Sequence, residues 1–444
     1  MDYLQIAGRA VDIAQSIGGH AAEAYVLDAK SLTVEVANQE IETLKLSEEM
    51  GIGIRLFSRQ GTVGFAYSTS LDNLEALARQ ALDNSRNSHA DKFNVLPEKP
   101  QNIPEMKLLD EKIAATSVEE KINMAKQVEL AARQADKRVK RTERCVYEDA
   151  EYGVALANSQ GLAAYYRSGY AGLYGMVLAE EDGDVQSGMS LNYTRDFAAL
   201  DPKIVGEEAA RDAGLLLKAK SVATTKATLL LSPYIATSFF AILIPALSAD
   251  AVQKGRSLFK GKVGQKVVSP LVTLIDDGRL HSGIASRPVD GEGVPTGQTE
   301  LIVNGVLQGF LHNTYTAAKD DVASTGNGMR STFKSMPEVG PTNLFIHSGT
   351  ARRDELISGI KNGFYVTNVM GMHTANPISG DFSVGAAGVW IKDGQFTQAV
   401  RGVAIAGNIL ELFSQVDGIG DDLRFFGAQG APSMRISNIT VSGQ

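Results

Sequence analysis

The chain has 444 residues, and its 43 lysines and arginines against 51 aspartates and glutamates give a formal charge of -8. No basic block or basic amphipathic helix occurs, so the composition argues against a nucleic-acid-binding protein. The single cysteine, Cys145, excludes an internal disulfide and any zinc ribbon or cluster held by several cysteines of one chain. At roughly 150 residues per domain, the length predicts about three domains.

The first domain, residues 1–100, is expected to be an α+β unit. Its apolar residues recur at helical spacing up to Gly18 and Gly19, which end the first predicted helix. Alternating apolar runs then predict an antiparallel sheet, and Ser70 is expected to cap a second helix over residues 71–87. Asp2 stands where a secretion signal needs positive charge, so we expect a cytoplasmic protein.

The second domain, residues 101–222, is expected to form another α+β unit. A proline-containing stretch over residues 91–107 marks the boundary before it. Ser117 and Glu120 belong to a capping box that predicts a helix to about Ala135, and a series of strands follows. Asp201 and Pro202 predict one further helix, through residue 217.

The third domain, residues 223–444, is glycine-rich and is predicted to consist mainly of β-strands. An Asn-Gly pair at 304–305 and an Asp-Gly pair at 393–394 predict two tight hairpins. A helix is expected over residues 352–361, a strand over 364–372 and a closing strand over 433–441. The predicted fold class is therefore α+β, with two N-terminal α+β units that contain antiparallel sheets, followed by a large β-dominated C-terminal domain.

One segment is long enough to cross a bilayer, because residues 227–249 contain 23 positions without a charge. However, Ser232 followed by Pro233 is a helix N-cap and first-turn pair. This pair divides the segment into a strand over 227–231 and a helix from 233 to about 243, which Pro245 is expected to disturb at its far end. No second apolar segment or basic flank accompanies it, so we expect no membrane association.

The histidines give no metal-binding motif. None of the six is followed by glutamate, so the HExxH and HExxxH helices of metallopeptidases are absent from the sequence. No two histidines lie within five residues of each other, so a zinc site would have to be assembled from distant segments. The six are His20, His89, His281, His312, His347 and His373.

Signatures of hydrolases and of nucleotide-binding proteins are also missing. No GxSxG elbow occurs, and the nearest serine, Ser383 in GDFSVG, has Asp381 two residues before it. The stretches GIGIRL, GIGDDL and KGKVGQK depart from the GxGxxG and phosphate-loop patterns. Nucleotide binding is therefore unsupported, whereas a serine hydrolase without a signature stays open.

Two glycine-rich stretches of the last 120 residues stand out, STGNGMRST (Ser324–Thr332) and the longer Val369–Trp390. Glycine beside strands lets another backbone approach closely, and an exposed strand edge can accept an extended peptide. The alternative is that Asn376–Gly380 forms only a turn between two core strands. The residues themselves leave both interpretations open.

Together, several C-terminal motifs resemble the TldD/PmbA family, whose older label is modulator of DNA gyrase. They are GKVGQKVVSPLVTLIDDG (Gly261–Gly278), EGVPT (Glu292–Thr296), LIVNGVLQGFLHNTYTAAK (Leu301–Lys319), STGN, NPISGDFSVGAAG and the ending GAPSMRISNITVSG. The resemblance extends over the whole chain, although the first 220 residues match in layout more than in motifs.

This resemblance implies a family with two kinds of subunit that share one fold. TldD-type chains carry HExxxH on a helix and a later cysteine, which bind zinc for peptide hydrolysis, whereas TldE (PmbA)-type chains lack these ligands and pair with the first kind. Here the motif positions hold Ser232, Pro233 and Thr237, and no cysteine occurs after residue 145. Neutral hydroxyls are poor zinc ligands and proline offers no acid or base, so no metal or catalytic residue is expected in this chain.

We therefore expect a non-catalytic subunit of a TldD/TldE-type metallopeptidase, with zinc only in a TldD-type partner. A heterodimer is expected, and a homodimer is possible. The substrates would be unfolded or extended polypeptides, including peptide precursors and labile antitoxin-like proteins, for proteolysis or peptide maturation. Asn376, Gly380, Asp381 and Ser383 are the predicted peptide contacts.

Two alternatives remain at this point. The chain could be a self-associating protein that binds peptides or another ligand without cleaving them. It could also be a metal-independent hydrolase with an unrecognised site, for instance Ser383 or Asp381 together with His373.

Overall fold

The computed structural model describes residues 2–443. Its α-helices are α1 (Tyr3–Ser16), α2 (Leu74–Arg86), α3 (Glu111–Ala115), α4 (Val118–Ala135), α5 (Pro202–Leu215), α6 (Pro233–Phe240), α7 (Ala249–Gln253), α8 (Thr314–Asp320), α9 (Arg353–Ser358) and α10 (Ile409–Ser414). Short 3-10 helices occupy Phe197–Ala199, Ala241–Leu247 and Met372–Thr374.

The first half of the chain supplies strands β1 (Ala21–Ala37), β2 (Glu40–Phe57), β3 (Val63–Ser68), β4 (Val139–Asn158), β5 (Ala163–Glu181) and β6 (Asp184–Thr194). The second half supplies β7 (Thr225–Leu231), β8 (Leu274–Asp277), β9 (Gln298–Val303), β10 (Val306–Leu307), β11 (Gly328–Met329), β12 (Glu338–Val339), β13 (Leu344–Ile346), β14 (Asn362–Met370), β15 (Asp381–Lys392), β16 (Gln395–Asn408), β17 (Val416–Ile419), β18 (Arg424–Phe426), β19 (Gln429–Ala431) and β20 (Met434–Ser442).

The two N-terminal units share one antiparallel sheet, in the order β3-β2-β1-β4-β5-β6. The two halves join where β1 pairs with β4, from Glu23 opposite Asn158 to Val36 opposite Cys145. Helices α1 and α2 pack on one half of the sheet, and α4 and α5 cover the other half. Alternate residues of β1, such as Val26 and Val34, are buried beneath these two helix layers, so both layers lie on the same face. The α+β class with antiparallel sheets is confirmed.

The C-terminal region contains two six-stranded sheets and a two-stranded one, β11-β12. One large sheet has the order β10-β9-β8-β13-β19-β18, and the other has the order β16-β15-β14-β7-β20-β17, with an added pairing of β16 to β20. Helix α6 and residues from both large sheets bury their apolar side chains in one core, which includes Phe239, Phe364 and Phe413. The β-rich character predicted for this region is confirmed.

The turn predictions hold, whereas four helix boundaries, those of α2, α5, α6 and α9, need correction. Asn304, Gly305, Asp393 and Gly394 all have positive φ in the two predicted hairpins. Helix α2 starts after Asn73, whose side chain accepts from the Ala76 N–H, and not after Ser70. Helices α5 and α9 are each shorter than predicted, ending at residues 215 and 358.

The uncharged segment over residues 227–249 is a strand and a short helix, as predicted. Helix α6 ends at residue 240 and not near 243, and a 3-10 helix that contains Pro245 follows. Proline has no N–H and its ring clashes with the carbonyl four residues earlier, so the regular helix cannot continue. Within residues 2–443, no helix combines the length and apolar character needed to span a bilayer.

Candidate functional site

A cavity of about 400 Å³ lies where the N-terminal sheet meets the C-terminal region. The edge strand β6 and helix α5 form one wall, and the start of α6, the end of β14, the first residue of α9 and strand β18 form the other. Its polar and aromatic lining includes Ser190, Glu208, Arg211, Asp212, Ser232, Tyr234, Arg353, Tyr365, Thr367, Asn368, Asp422, Arg424 and Phe426.

The start of α6 places two of the three degenerate motif positions at this cavity. The Ser232 N–H donates to the Val366 carbonyl at 3.3 Å, which holds the helix start against β14. The Ser232 side chain makes no capping hydrogen bond, and Pro233 occupies the first turn. Both residues line the cavity. Thr237 is 5% exposed, and its hydroxyl donates to the Pro233 carbonyl at 2.9 Å, within the helix.

These side chains do not fit zinc. Ser232 and Thr237 offer neutral hydroxyls, and the Thr237 hydroxyl is already used by the helix backbone. No three histidine, cysteine, aspartate or glutamate side chains converge as a metal site within residues 2–443. Cys145 lies in the core beneath α4, and burial raises the pKa of its thiol to about 12. The structure therefore places no thiolate at the cavity.

Two carboxylates of the cavity wall are fully engaged. Glu208 on α5 accepts from the Ser190 hydroxyl at 2.6 Å and from Arg424 Nη1 at 2.8 Å, which ties the N-terminal sheet to β18. Asp422 accepts from the N–H and the hydroxyl of Ser433, at 2.8 and 2.6 Å. Each of their four carboxylate oxygens accepts one of these hydrogen bonds, so both acids are held in place as part of the wall.

Other polar groups of the cavity have no fixed partner. Arg353 lies over the Tyr365 ring, with Cζ 4.8 Å from the ring centroid, and its Nε is buried without a hydrogen-bond partner. The Thr367 hydroxyl is likewise buried without a partner. Asp212 contacts only the neighbouring Arg211 Nε, at 3.3 Å. Burial raises the pKa of Asp212, and the positive charges of Arg211 and Arg353 partly oppose this shift.

The β14–β15 pairing is interrupted by a bulge where β14 lines the cavity. The pairing register shifts between Val366 and Asn368, so that Thr367 is the extra residue. Such a bulge re-aims side chains and is frequent next to binding sites. Two consecutive polar residues, Thr367 and Asn368, interrupt the apolar run of β14 and are the sequence signal that could have indicated this site. Arg353 carried no comparable signal.

Of the four predicted peptide contacts, Asn376 and Gly380 lie in the turn before β15, and Asp381 and Ser383 lie in the first residues of β15. None of the four lines the cavity. Asn376 accepts from the N–H groups of residues 378 and 379, and its carbonyl accepts from the Gly380 N–H at 2.8 Å. Gly380 has a φ of +82°, which glycine adopts without strain. Residues 381–384 pair with β16, but β14 reaches only as far as Gly385. Their contact with a peptide stays a prediction.

In the hydrolase alternative, Ser383 or Asp381 would act together with His373, but neither is hydrogen-bonded to that histidine within residues 2–443. The Asp381 carboxylate accepts from Asn408 at 3.0 Å and from Ser379 at 2.8 Å, and these two hydrogen bonds lower its pKa. Ser383 is exposed on β15, and His373 is exposed in the 3-10 helix before the turn. A base normally lies within hydrogen-bond reach of its nucleophile, and no such bond links these residues here.

The first glycine-rich stretch has a different role, in a buried ion cluster formed by Glu23, Arg55, Glu292 and Arg330. Each of these side chains is at most 7% exposed. Arg330, which ends the STGNGMR motif, pairs with Glu23 on β1 and donates to the Gly291 carbonyl at 2.7 Å. Arg55 on β2 contacts Glu23 at 2.7 Å and Glu292 at 3.1 Å. The motif therefore attaches the C-terminal region to the N-terminal sheet.

Asp290 lies beside the ion cluster, at the same junction between the N-terminal sheet and the C-terminal region. Its carboxylate accepts from the backbone N–H groups of residues 292, 294 and 328, at 2.9, 3.0 and 2.7 Å. Burial and the nearby Glu292 raise the pKa of Asp290 to about 7, against the opposite effect of these hydrogen bonds. Asp290 and Glu292 are each 1% exposed, so this network is buried.

Family models match most of the chain. The PmbA/TldA metallopeptidase domain 1 matches residues 22–85, the central domain matches residues 111–217, and the C-terminal domain matches residues 224–443. The metalloprotease PmbA of Escherichia coli O157:H7 is 28% identical over 431 residues, which are 95% of this chain and 92% of that protein.

Solved structures of related proteins share the fold of this chain along almost its whole length. A Thermotoga maritima protein described as a candidate modulator of a DNA gyrase has a TM-score of 0.92 at 29% identity, covering 99% of this chain and 100% of that one. TldE from Thermococcus kodakarensis has a TM-score of 0.90 over the same shares, and its 24% identity shows the common fold alone. The chain belongs to the PmbA/TldD metallopeptidase family.

Proposed function

We propose that this chain is the non-catalytic subunit of a TldD/TldE-type metallopeptidase and works in the cytoplasm with a zinc-bearing TldD-type partner. The observation that carries this proposal is the start of α6, where Ser232 and Pro233 face the cavity in place of a zinc ligand and a catalytic base. Neither side chain can hold zinc or accept a proton from water at neutral pH.

The role of the subunit is to hold unfolded or extended polypeptide for cleavage or maturation by the partner. Two features support this role. The cavity presents polar groups without fixed partners beside aromatic rings, as small-molecule and peptide sites do. In addition, residues 381–384 of β15 have a strand neighbour on one side only, which suits the addition of an extended peptide.

The experiment combines the purified chain, a TldD-type partner from the same cell, and an unfolded peptide. Cleavage is followed by mass spectrometry and zinc by elemental analysis, for each protein alone and for the mixture. We expect the chain alone to contain no stoichiometric zinc and to cleave nothing, and we expect the mixture to cleave the peptide faster than the partner alone. Zinc-dependent cleavage by this chain alone would overturn the proposal.

A control distinguishes the proposed non-catalytic subunit from the alternative of a metal-independent hydrolase. The variants Ser383→Ala and His373→Ala change exposed residues outside the cavity, so both are expected to leave cleavage by the mixture within about twofold of the wild type, as for surface positions. If the chain alone cleaves the peptide without zinc, and Ser383→Ala abolishes that cleavage, the site is a serine hydrolase.

A further inference from the structure

Arg353 is an arginine without a counter-ion at the wall of a cavity. Its guanidinium stacks on Tyr365, which is 8% exposed, and across residues 2–443 it enters no salt bridge. Its buried Nε has no hydrogen-bond partner. Arginine presents a planar fork of donors that matches a carboxylate with two parallel hydrogen bonds. A stacked, unpaired guanidinium is therefore prepared for a planar anion.

Within residues 2–443, no acid of the cavity forms an ion pair with Arg353, although Asp212 lies near enough to interact with it electrostatically. Glu208 is occupied by Ser190 and Arg424, and Asp422 by Ser433. Asp212 is the remaining acid. Its contact is with Arg211, and its burial favours the protonated form relative to an exposed aspartate.

We propose that the cavity binds the C-terminal carboxylate of a peptide, with Arg353 as its anchor. The inference rests on the proposed function and names the part of the peptide that this cavity recognises, but its test concerns binding by this chain alone and requires neither zinc nor a partner. The carboxylate would take two hydrogen bonds from the guanidinium. The buried Thr367 hydroxyl, which has no partner, stands on the neighbouring bulge of β14 and is available as a further donor.

The rest of the cavity suits the residues that precede a carboxylate. Tyr234 and Phe426 pack edge to face with their ring centroids 5.1 Å apart, which offers an apolar wall. The Asn368 amide and the Ser232 hydroxyl line the cavity and can bond to peptide N–H and carbonyl groups. A volume of about 400 Å³ lies at the lower end of the range for ligand pockets, so it accommodates a short segment of chain.

The charge of the cavity favours a carboxylate over a phosphate. The lining has one arginine without an ion pair, and it also contains Glu208 and Asp212 in the wall formed by α5 and Asp422 in the opposite wall. A phosphate group carries up to two negative charges and is normally bound by several cationic or N–H donors. A singly charged planar group needs only the one guanidinium.

The test is isothermal titration of the full chain with an unstructured five-residue peptide that ends in leucine. The free acid is compared with its C-terminal amide, with an amidated peptide that contains one internal glutamate, and with inorganic phosphate. Loss of a charge-assisted bidentate pair lowers affinity by about tenfold or more, so the free acid is expected to bind at least that much more tightly than either amide.

Variants identify the anchor. Arg353→Gln is expected to reduce the preference for the free acid to less than about twofold, and Thr367→Val to weaken the free acid by about three- to tenfold. Arg352→Gln is the matched control, because Arg352 is exposed beside Arg353 and does not line the cavity; it is expected to keep the preference. Equal binding of acid and amide, an unchanged preference in Arg353→Gln, or tighter binding of phosphate would each overturn the proposal.

Discussion

The junction between the N-terminal sheet and the C-terminal region contains two groups of charged side chains that differ in one respect. In the ion cluster of Glu23, Arg55, Glu292 and Arg330, every charge is buried and paired. In the cavity, Arg353 enters no ion pair within residues 2–443, and its buried Nε has no hydrogen-bond partner. A buried charge without a partner is costly, so a closed cluster indicates a structural role, whereas an unpaired charge at an open cavity indicates a ligand.

The largest predicted effect breaks the closed cluster. Glu23→Gln removes the carboxylate that both Arg55 and Arg330 contact, and leaves two buried guanidinium groups with too few acceptors. Removing one partner of a buried ion pair costs about 3–5 kcal/mol, so the urea midpoint of unfolding should fall strongly. The matched control is Glu48→Gln on β2, whose pair with Lys30 is exposed on both sides, and it should leave the midpoint unchanged. Equal midpoints for the two variants would contradict the structural role of the cluster.

A smaller effect is expected from the wall of the cavity. Gly188 on β6 lies against α5, where an added Cβ would overlap the backbone at Ala209 and Ala213. Gly188→Ala should therefore separate β6 from α5 and lower the free energy of unfolding by about 1–3 kcal/mol. Gly8→Ala in α1 is the control, because nothing lies near the position of its Cβ, and it should stabilise by about 0.5–1 kcal/mol. Thermal melts of both variants compare their stabilities. A Gly188→Ala variant that is more stable than the wild type would contradict the close packing of β6 against α5.

The smallest effect on stability is expected at Arg353. Arg353→Gln loses the contact with the Tyr365 ring, which is worth about 0.5–1 kcal/mol, and breaks no ion pair. The melting temperature should therefore change little, while the preference for free-acid over amidated peptides is lost. A destabilisation as large as that of Glu23→Gln would assign Arg353 to the structure and remove the contrast between the two regions.

Local features of this fold could be predicted from the sequence. The Ser117 hydroxyl caps α4 by accepting from the Glu120 N–H at 3.2 Å, and both hairpin turns lie at their Asn-Gly and Asp-Gly pairs. Such features depend on residues within a few positions of each other, where turn and capping chemistry acts.

Features that depend on distant residues could not be predicted. Arg330 meets Glu23 across 307 positions, and nothing in STGNGMR indicates that partner. The pairing of β1 with β4 joins two units across a sequence separation of over a hundred residues, and alternating apolar patterns do not specify which strand a neighbour will be. The cavity is formed by several separate elements, so its polar lining appears only when they pack together.

The most direct test of the central claim is native mass spectrometry of the isolated chain with a free-acid peptide, in the presence and absence of zinc. One spectrum reports bound peptide, bound zinc and any cleaved product. We predict intact peptide bound to the chain, no stoichiometric zinc, and no product in either condition. Peptide fragments that form only when zinc is present and bound would contradict a binding subunit without its own catalytic centre.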